Sequence, residues 1–320
     1  MIKNTLLGIA IGDSYGFGLE FSSRDWILQN VDFSHFVNNL KSKWAENYKE
    51  GRYTDDTEMT IGLMNAMMDK RVFSEELLLE HWKAEYDWFY EDKNILRPGH
   101  GSIKEYYNKE ASIEDIRKLQ GSKQYPGNAP PMRAVPLGFA GEKLEEYAII
   151  NADATHPHPK ARAASIIVAR AAKYILVKNG DKKDLIKYCG EFIKEIDAET
   201  YQYLKAIDSL KGELTEKDYE LLCGPQPISN FPIKNLYGLA TDAMRTAGAA
   251  LHTIKYAENP FDALKRSIQY GGDVDSLAAI TVGITAGRDG LESIPQYMQD
   301  KIEDKNRLER IAEDFEKKII

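Results

Sequence analysis

Two acidic clusters near opposite ends of the chain limit the folds open to it. The first is Thr54-Asp55-Asp56-Thr57, and the second is Gly271-Gly272-Asp273-Val274-Asp275-Ser276. Each cluster places two carboxylates beside a hydroxyl where an apolar helical pattern begins. Oxygen atoms of this kind are the ligands of hard divalent cations. We therefore expect the fold to bring the clusters together as two halves of one metal site.

Each cluster alone has a simpler interpretation, which is helix capping. A carboxylate at a helix N-terminus accepts hydrogen bonds from unpaired backbone N–H groups, and Asp55 with Glu58 has the spacing of a capping box. One cap needs only one carboxylate, however, and two adjacent carboxylates repel each other unless a cation lies between them. Magnesium or manganese would supply that charge, and two such ions can share bridging carboxylates. Zinc is less favoured, because His156 and His158 lack a cysteine or glutamate at metal-ligand spacing, and a polar turn is the simpler interpretation of that pair.

Helical periodicity dominates the chain, and strand-like alternation is scarce. The apolar residues at helical spacing after the first cluster are Met59, Leu63, Ala66 and Met67. A second helix is predicted over 161–178, ending at the left-handed cap Asn179-Gly180. The stretch 277–286 is apolar on nearly every side, and its glycines, Gly283 among them, permit close backbone approach, so it should be a central buried helix. Both acidic clusters therefore stand at predicted helix N-termini.

No linker rich in Pro, Gly or Ser divides the chain, so we expect one compact, mostly α-helical domain over 1–320. The charged stretch 197–232 should be a peripheral excursion from it. The apolar run 5–11 is ended by Asp13 without a cleavage pattern, which indicates a first buried helix rather than a signal peptide. Residues 121–136 contain recurrent Gly, Pro and Asn, which predicts an ordered loop.

Composition and charge exclude several classes of function. The formal net charge is −8 over 320 residues, with no long basic run, so neither nucleic acid nor an anionic membrane surface is expected as a partner. No stretch approaches the roughly 18 uninterrupted apolar residues that a membrane span needs. The two cysteines, Cys189 and Cys223, form no C-x-x-C pair, which argues against a disulfide scaffold and fits a reducing cytoplasm.

Five segments resemble, in residues and in order, the motifs of the ADP-ribosylglycohydrolases, a family that includes dinitrogenase reductase-activating glycohydrolases and ADP-ribosylarginine hydrolases. These segments are Gly12 to Glu20, Tyr53 to Thr57, Met132 to Gly138, Thr155 to Pro159, and Gly271 to Ile280. The stretch 197–232 matches the family poorly. The resemblance implies an all-α fold, a compact single-domain orthogonal helical bundle, with two divalent ions at the floor of a cleft and ADP-ribose above them.

The resemblance also implies roles for particular residues. The ligands of two Mg²⁺ or Mn²⁺ ions would be Thr54, Asp55, Asp56, Asp273, Asp275 and Ser276. The catalytic carboxylates would be Glu20, Asp55 and Asp56, with Glu20 as a water-positioning or acid/base group. The substrate contacts would be Gly99, His100, Gly101, Asn128, Ala129, Met132 and His156. The chain departs from the family at Ser276 and His100, where Thr and Tyr are usual, and at Pro130 and Pro131, which lack N–H groups and so remove two potential phosphate donors.

The reaction implied by this resemblance is hydrolysis at ribose C1″ through an oxocarbenium-like transition state, releasing ADP-ribose from mono-ADP-ribosylated protein. Arginine-linked ADP-ribose is the leading expectation. Serine-linked or other O-linked ADP-ribose, and a non-catalytic protein that only binds ADP-ribose, are the alternatives. We expect a monomeric cytoplasmic enzyme whose partners are the modified protein and the product ADP-ribose, without nucleic acid or membrane.

Overall fold

The computed structural model describes residues 1–40, 47–228 and 235–320, and the elements within these ranges are helical. None of the described residues belongs to a β-strand, and Gly272 makes isolated bridges to Ser22 and Leu239. The all-α fold class predicted from the sequence is therefore confirmed.

The α-helices are, in chain order, α1 (Ile2–Phe17), α2 (Arg24–Asn30), α3 (Asp55–Met68), α4 (Glu75–Lys93), α5 (Ile103–Tyr107), α6 (Ile113–Gly121), α7 (Ala129–Met132), α8 (Leu144–Asp153), α9 (Pro159–Ala172), α10 (Leu185–Gly190), α11 (Ile193–Ile196), α12 (Ala198–Asp208), α13 (Glu216–Cys223), α14 (Ala243–Tyr256), α15 (Pro260–Ile268), α16 (Val274–Asp289), α17 (Gln296–Lys301) and α18 (Lys305–Ile319). The helices predicted after the two acidic clusters are α3 and α16. The predicted helix over 161–178 is α9 followed by a π-helical turn over Lys173–Val177. It ends at Asn179, whose φ of 49° is the predicted left-handed conformation.

Helices α1 and α16 pack directly against each other, and their antiparallel contact sets the position of the site. A Cβ atom at Gly12 would lie 2.2 Å from the carbonyl oxygen of Ala278, and one at Gly16 would lie 2.4 Å from the Cα of Asp275. Such distances exclude any side chain, so glycine is required where the backbones meet. On the α16 side, a Cβ atom at Gly283 would lie 2.3 Å from Ile9 Cγ1, so this glycine makes room for a side chain of α1. The C-terminal half of α1 is thereby held against the start of α16, where the second acidic cluster lies.

The buried apolar side chains form one cluster that runs from Ile2 in α1 to Phe315 in α18. Helix α16 lies inside this cluster, and its residues from Val274 to Gly287 are all buried. No helix within the described ranges is both long and apolar enough to cross a membrane.

The stretch 197–232 contains α12 and α13, and its residues 229–232 lie outside the described ranges. The Tyr203 hydroxyl donates to the carbonyl oxygen of Leu222 at 3.1 Å, which joins α12 to α13. A Cβ atom at Gly248 would lie 2.3 Å from the Tyr203 ring, so α12 also packs on α14. A single domain over 1–320 with this stretch at its periphery stays a prediction.

The segment 121–136 contains more regular structure than the sequence indicates. It includes α7 and the start of a 3₁₀ turn over Val135–Phe139. Pro130 and Pro131 stand in the first turn of α7, where a missing N–H breaks no intrahelical hydrogen bond and the fixed φ of proline suits a helix. The expectation of a loop without an element is therefore wrong here, because two prolines can begin a helical turn as well as end one.

Candidate functional site

Asp13, a buried carboxylate in α1, holds the start of α3. Its Oδ1 accepts hydrogen bonds from the backbone N–H and the hydroxyl of Thr54 at 2.8 and 2.9 Å. Its Oδ2 accepts from the N–H and the hydroxyl of Thr57 at 2.9 and 2.6 Å. Burial raises the pKa of Asp13 to about 6, although these four hydrogen bonds favour the charged form. Because α1 also packs on α16, Asp13 fixes the first acidic cluster relative to the second.

Thr54 is the N-cap of α3, and its hydroxyl oxygen accepts a backbone N–H of the first turn at 3.4 Å. A capping box between Asp55 and Glu58, which the spacing permits, does not form. Glu58 instead lies 2.7 Å from Arg97 Nε and 2.7 Å from His100 Nε2. Charge-assisted pairs of this kind are roughly twice as strong as neutral hydrogen bonds, so Glu58 pairs with Arg97 and His100 instead of capping the helix.

The loop of residues 97–101 is anchored by the buried Arg97. The guanidinium carbon lies 4.0 Å from the ring centroid of Tyr53 and 3.6 Å from that of Phe89. The same group pairs with Glu303 at 3.4 Å, in the segment between α17 and α18. A cation held by aromatic faces and two carboxylates cannot move far without exposing buried charge. The position of the loop is therefore fixed by the contacts of Arg97.

His100 uses both of its ring nitrogens inside the protein. Nε2 faces Glu58, and Nδ1 lies 3.4 Å from the carbonyl oxygen of Arg97. The ring packs edge-on against Tyr86 and Tyr107, with centroids 5.0 and 5.8 Å away. Burial lowers the pKa of His100, but the neighbouring carboxylates, chiefly Glu58, more than offset this and raise it overall. His100 can therefore make the predicted substrate contact only through its backbone, because its imidazole is engaged inside the protein.

Gly99 lies against the carboxylate of Asp55. A Cβ atom at Gly99 would lie 1.7 Å from Asp55 Oδ1, and its φ is +107°. The Asp55 N–H donates to the carbonyl oxygen of Pro98 at 3.1 Å, which binds the same loop to the start of α3. Gly101 differs, because a Cβ atom there would meet nothing within 4 Å. Burial raises the pKa of Asp55 to about 6, and the charge of His100 opposes that rise.

The second acidic cluster is held by a turn of two glycines, 271–272, with φ values of 67° and 76°. The turn exchanges two backbone hydrogen bonds of 2.8 Å with residues 21–22, and the Asp273 N–H donates to the Leu239 carbonyl oxygen at 3.0 Å. Side chains other than glycine rarely adopt this left-handed conformation. Glu20 immediately precedes the bridged segment, so the turn places it beside the second cluster.

The two clusters lie close enough to disturb each other's ionisation. Burial raises the pKa of Asp56 well above its usual range, and carboxylates of both clusters, Asp273 included, raise it further, whereas the Ser276 hydroxyl beside it has the opposite effect. Burial also raises the pKa of Asp275, followed by the charges of Glu20 and Asp56. Glu20 behaves in the same way, with burial first and then Asp273. Mutual repulsion of this kind requires that the side chains share one buried region.

Asn128 connects the second cluster to α7. Its Nδ2 donates to Thr246 Oγ1 at 3.2 Å and to Asp273 Oδ2 at 3.3 Å. The backbone carbonyl oxygen of Asn128 accepts the Met132 N–H at 3.1 Å. This N–H, which was predicted to donate to the substrate, is therefore used within the helical turn. Ala129 is half-buried at the start of the turn.

His156 is buried beside Gly127, the residue that precedes Asn128 in the chain. Its Nδ1 lies 2.8 Å from Thr155 Oγ1, and a Cβ atom at Gly127 would lie 3.1 Å from its Nε2. Burial lowers the pKa of His156 well below its usual range, and the charges of Arg133 and Lys123 lower it further. The imidazole is therefore neutral at physiological pH.

The donor atoms suit a hard cation, although the side chains do not surround a common point. Within the described part of the chain, no group of three or more His, Cys, Asp or Glu side chains is placed to hold a metal ion. The six predicted ligands offer only oxygen atoms, and Asp56 Oδ1 is buried without a hydrogen-bond partner. A buried, unpaired carboxylate oxygen is costly unless a cation or a proton meets it. The residues therefore fit Mg²⁺ or Mn²⁺ chemically, and the binding of two ions stays a prediction.

Sequence analysis assigned no role to several residues that shape the site. Asp13 lies in the segment Gly12 to Glu20. The signal that could have identified it is a single carboxylate inside an apolar helix, because such a group requires polar partners when it is buried. Glu58 was interpreted only as a capping residue. Arg133 belongs to the segment Met132 to Gly138, and only its contact in space with Thr155 connects it to His156.

Comparisons with known proteins identify relatives of this chain. The family model for ADP-ribosylglycohydrolase matches residues 2–320. The ADP-ribosylarginine hydrolase Tri1 of Serratia proteamaculans is 23% identical over 97% of this chain and 77% of its own length. The ADP-ribosylhydrolase ARH3 of Bos taurus is 21% identical over 97% of this chain and 91% of its own. A solved "ADP-ribosylglycohydrolase-related protein complex" matches with a TM-score of 0.68 at 17% identity, covering 100% of this chain and 98% of that one, which shows the shared fold.

Proposed function

The chain belongs to the ADP-ribosylglycohydrolase family, and we propose that it hydrolyses the bond between ribose C1″ and an arginine side chain of ADP-ribosylated proteins, with two Mg²⁺ or Mn²⁺ ions. The observation that carries this proposal is the convergence of both acidic clusters and the half-buried Glu20 on one region, where carboxylates of one cluster raise the pKa of carboxylates in the other. A cationic ligand would compensate this concentration of negative charge, which protons must neutralise when the ligand is absent.

The ions would be held by Thr54, Asp55, Asp56, Asp273, Asp275 and Ser276. When bound, they would supply Lewis-acid stabilisation and lower the pKa of a coordinated water. Asp13 prepares this set, because the Thr54 hydroxyl donates its proton to Asp13 at 2.9 Å and, besides accepting the Asp56 N–H, keeps one lone pair for another partner. The 97–101 loop keeps Asp55 in position through Gly99 and Pro98.

Glu20 is the proposed acid/base group. Burial and then the charge of Asp273 raise the pKa of its carboxyl well above the usual range, and a carboxyl group with a raised pKa is suited to general acid or base catalysis. Departure of the leaving group from C1″ develops positive charge on the ribose ring. The surrounding carboxylates stabilise that charge, since fixed negative groups in a water-poor site interact strongly with it.

The arginine linkage is favoured over a serine linkage by the charge of the site. A guanidinium leaving group is cationic, and the carboxylate of Glu20, which is not among the proposed ion ligands, would attract it, whereas a serine hydroxyl carries no charge to attract. Similarity to a protein named ADP-ribosylarginine hydrolase supports the same choice. Similarity to ARH3 keeps an O-linked substrate as the second candidate. A non-catalytic ADP-ribose-binding protein is the third, and the retention of Glu20 with all six predicted ligands argues against it.

The test compares peptides that carry ADP-ribose on arginine or on serine, each incubated with the protein and Mg²⁺ or with a chelator. We expect release of ADP-ribose from the arginine peptide, dependent on the ion. Faster release from the serine peptide would overturn the linkage, and release unaffected by the chelator would overturn the metal requirement.

A pair of variants separates catalysis from general effects of charge. Asp56→Asn should reduce turnover by about 10²-fold or more, as losses of preorganised charge do. Asp314→Asn removes an exposed carboxylate of α18 and should keep wild-type turnover. Wild-type turnover of Asp56→Asn would reject the assignment of this residue.

A further inference from the structure

Arg133 is buried beside the site, and no carboxylate of the described residues lies within ion-pair distance of it. The side chain is 0% exposed, with its guanidinium carbon 3.8 Å from the centroid of the Trp82 ring. Nε donates to Asn151 Oδ1 at 2.8 Å, and Nη2 donates to the Asn151 carbonyl oxygen at 3.0 Å and to Thr155 Oγ1 at 2.9 Å. A guanidinium can only donate. Thr155 Oγ1 must therefore act as an acceptor towards Arg133.

The remaining partner of the Thr155 hydroxyl is His156, whose Nδ1 lies 2.8 Å away. If Nδ1 carried a proton and donated it, the Thr155 proton would have no acceptor among the described residues, although Thr155 is only 1% exposed. A buried donor left without a partner costs about 1–3 kcal/mol. Thr155 therefore donates to Nδ1, and the single proton of the neutral His156 ring lies on Nε2.

The Nε2 atom of His156 faces the turn that leads to the acidic cluster. It lies next to Gly127, whose N–H donates to Gln120 Oε1 at 3.3 Å. The following residue is Asn128, which contacts Asp273. Nδ1 makes the one hydrogen bond that the His156 side chain forms with the described residues. An N–H group at Nε2 is thus available at the edge of the site.

We infer that Arg133, acting through the Thr155 hydroxyl, fixes His156 as a hydrogen-bond donor from Nε2 towards an anionic oxygen of the bound ligand. The part that concerns the ligand rests on the proposed function, because the diphosphate oxygens of ADP-ribose can only accept hydrogen bonds. With the opposite tautomer, the Nε2 lone pair would face those oxygens and repel them. Arg133 and Thr155 are positioning residues, since they act through His156.

The first test is made on the protein without ligand. Long-range ¹H–¹⁵N correlation spectra of histidine-labelled protein distinguish a protonated ring nitrogen from an unprotonated one, and loss of one signal set in His156→Gln assigns this residue among the six histidines. We expect His156 Nδ1 to be unprotonated and Nε2 to be protonated. The reverse assignment in the wild-type protein would overturn the relay.

The second test uses Thr155→Val, which removes the hydroxyl and keeps the shape, with Thr155→Ser as the matched variant that retains it. Valine should shift the Nδ1 resonance and weaken ADP-ribose binding by about tenfold, the worth of one hydrogen bond, whereas serine should stay within about twofold of wild type. Equal spectra and equal affinities in the two variants would overturn the relay. If the wild-type tautomer is as expected but ADP-ribose does not bind, the relay stands and the proposed function fails.

Discussion

Replacing Gly99 with alanine tests whether the 97–101 loop holds Asp55 in place. The new Cβ atom would start 1.7 Å from Asp55 Oδ1 and 2.5 Å from its Cγ. Non-bonded heavy atoms need about 3.5 Å, so the carboxylate would have to move by roughly 2 Å. Alanine would also have to adopt a φ of +107°, which costs about 1–3 kcal/mol for a residue with a side chain. The substitution therefore displaces a carboxylate and strains the backbone at once.

A displacement of this size should be visible in both ion binding and turnover. A misplacement of about 1 Å can reduce turnover by 10²-fold, so we expect at least that loss for Gly99→Ala, with weaker Mg²⁺ binding by calorimetry. Gly101→Ala is the matched control, because Gly101 belongs to the same loop and also has a positive φ, of +40°, but its Cβ atom would meet nothing within 4 Å. This control shares the backbone strain without the collision.

The two variants together separate strain from displacement. Both should melt a few degrees below wild type, as a loss of about 1–3 kcal/mol predicts. Only Gly99→Ala should lose Mg²⁺ affinity, because the predicted role of Gly101 is contact with the substrate and not with the ions. If Gly99→Ala matched Gly101→Ala in Mg²⁺ affinity, the contact between the loop and Asp55 would have no part in positioning the carboxylate, and the reasoning would be refuted.

Three further predictions concern buried polar groups. Asp13→Asn should lower the free energy of unfolding by about 1–3 kcal/mol, because an amide can accept from only one of Thr54 and Thr57; an unchanged denaturation midpoint would contradict this. Glu58→Gln should cost about 3–5 kcal/mol, since it removes the nearest carboxylate from the buried Arg97 and leaves the His100 ring without its carboxylate partner, and wild-type thermal stability would argue against the ion-pair assignment. His156, with its lowered pKa, should keep constant ring resonances from pH 8 to 6. The unfolded chain binds a proton at this residue with a pKa of about 6.5, so the stability that the group contributes falls as the pH drops below that value. A titration of the ring near pH 6.5 would exclude a buried neutral imidazole.

The helices that carry the acidic clusters could be predicted because their signals are local. Apolar residues at helical spacing are enough to predict the helix that follows the first cluster, although its N-cap is Thr54 and not the capping-box residue Asp55. The close approach of α1 and α16 was also predictable at Gly283, since a glycine on a buried helix face allows helices to pack closely. The same local reasoning failed at Glu58, where capping-box spacing was outweighed by Arg97 and His100, which lie on a separate loop.

The sequence by itself determined which donor atoms the acidic clusters offer, because the side chains beside these helix starts are carboxylates and hydroxyls wherever the helices pack. Only the tertiary structure decided how those side chains are held. Asp13 acquires its four donors because α1 crosses the start of α3, and the His156 tautomer follows from the buried Arg133. The physical reason is that helix formation depends on neighbours within a few residues, whereas burial, charge pairing and proton position depend on groups that meet only after the helices have packed.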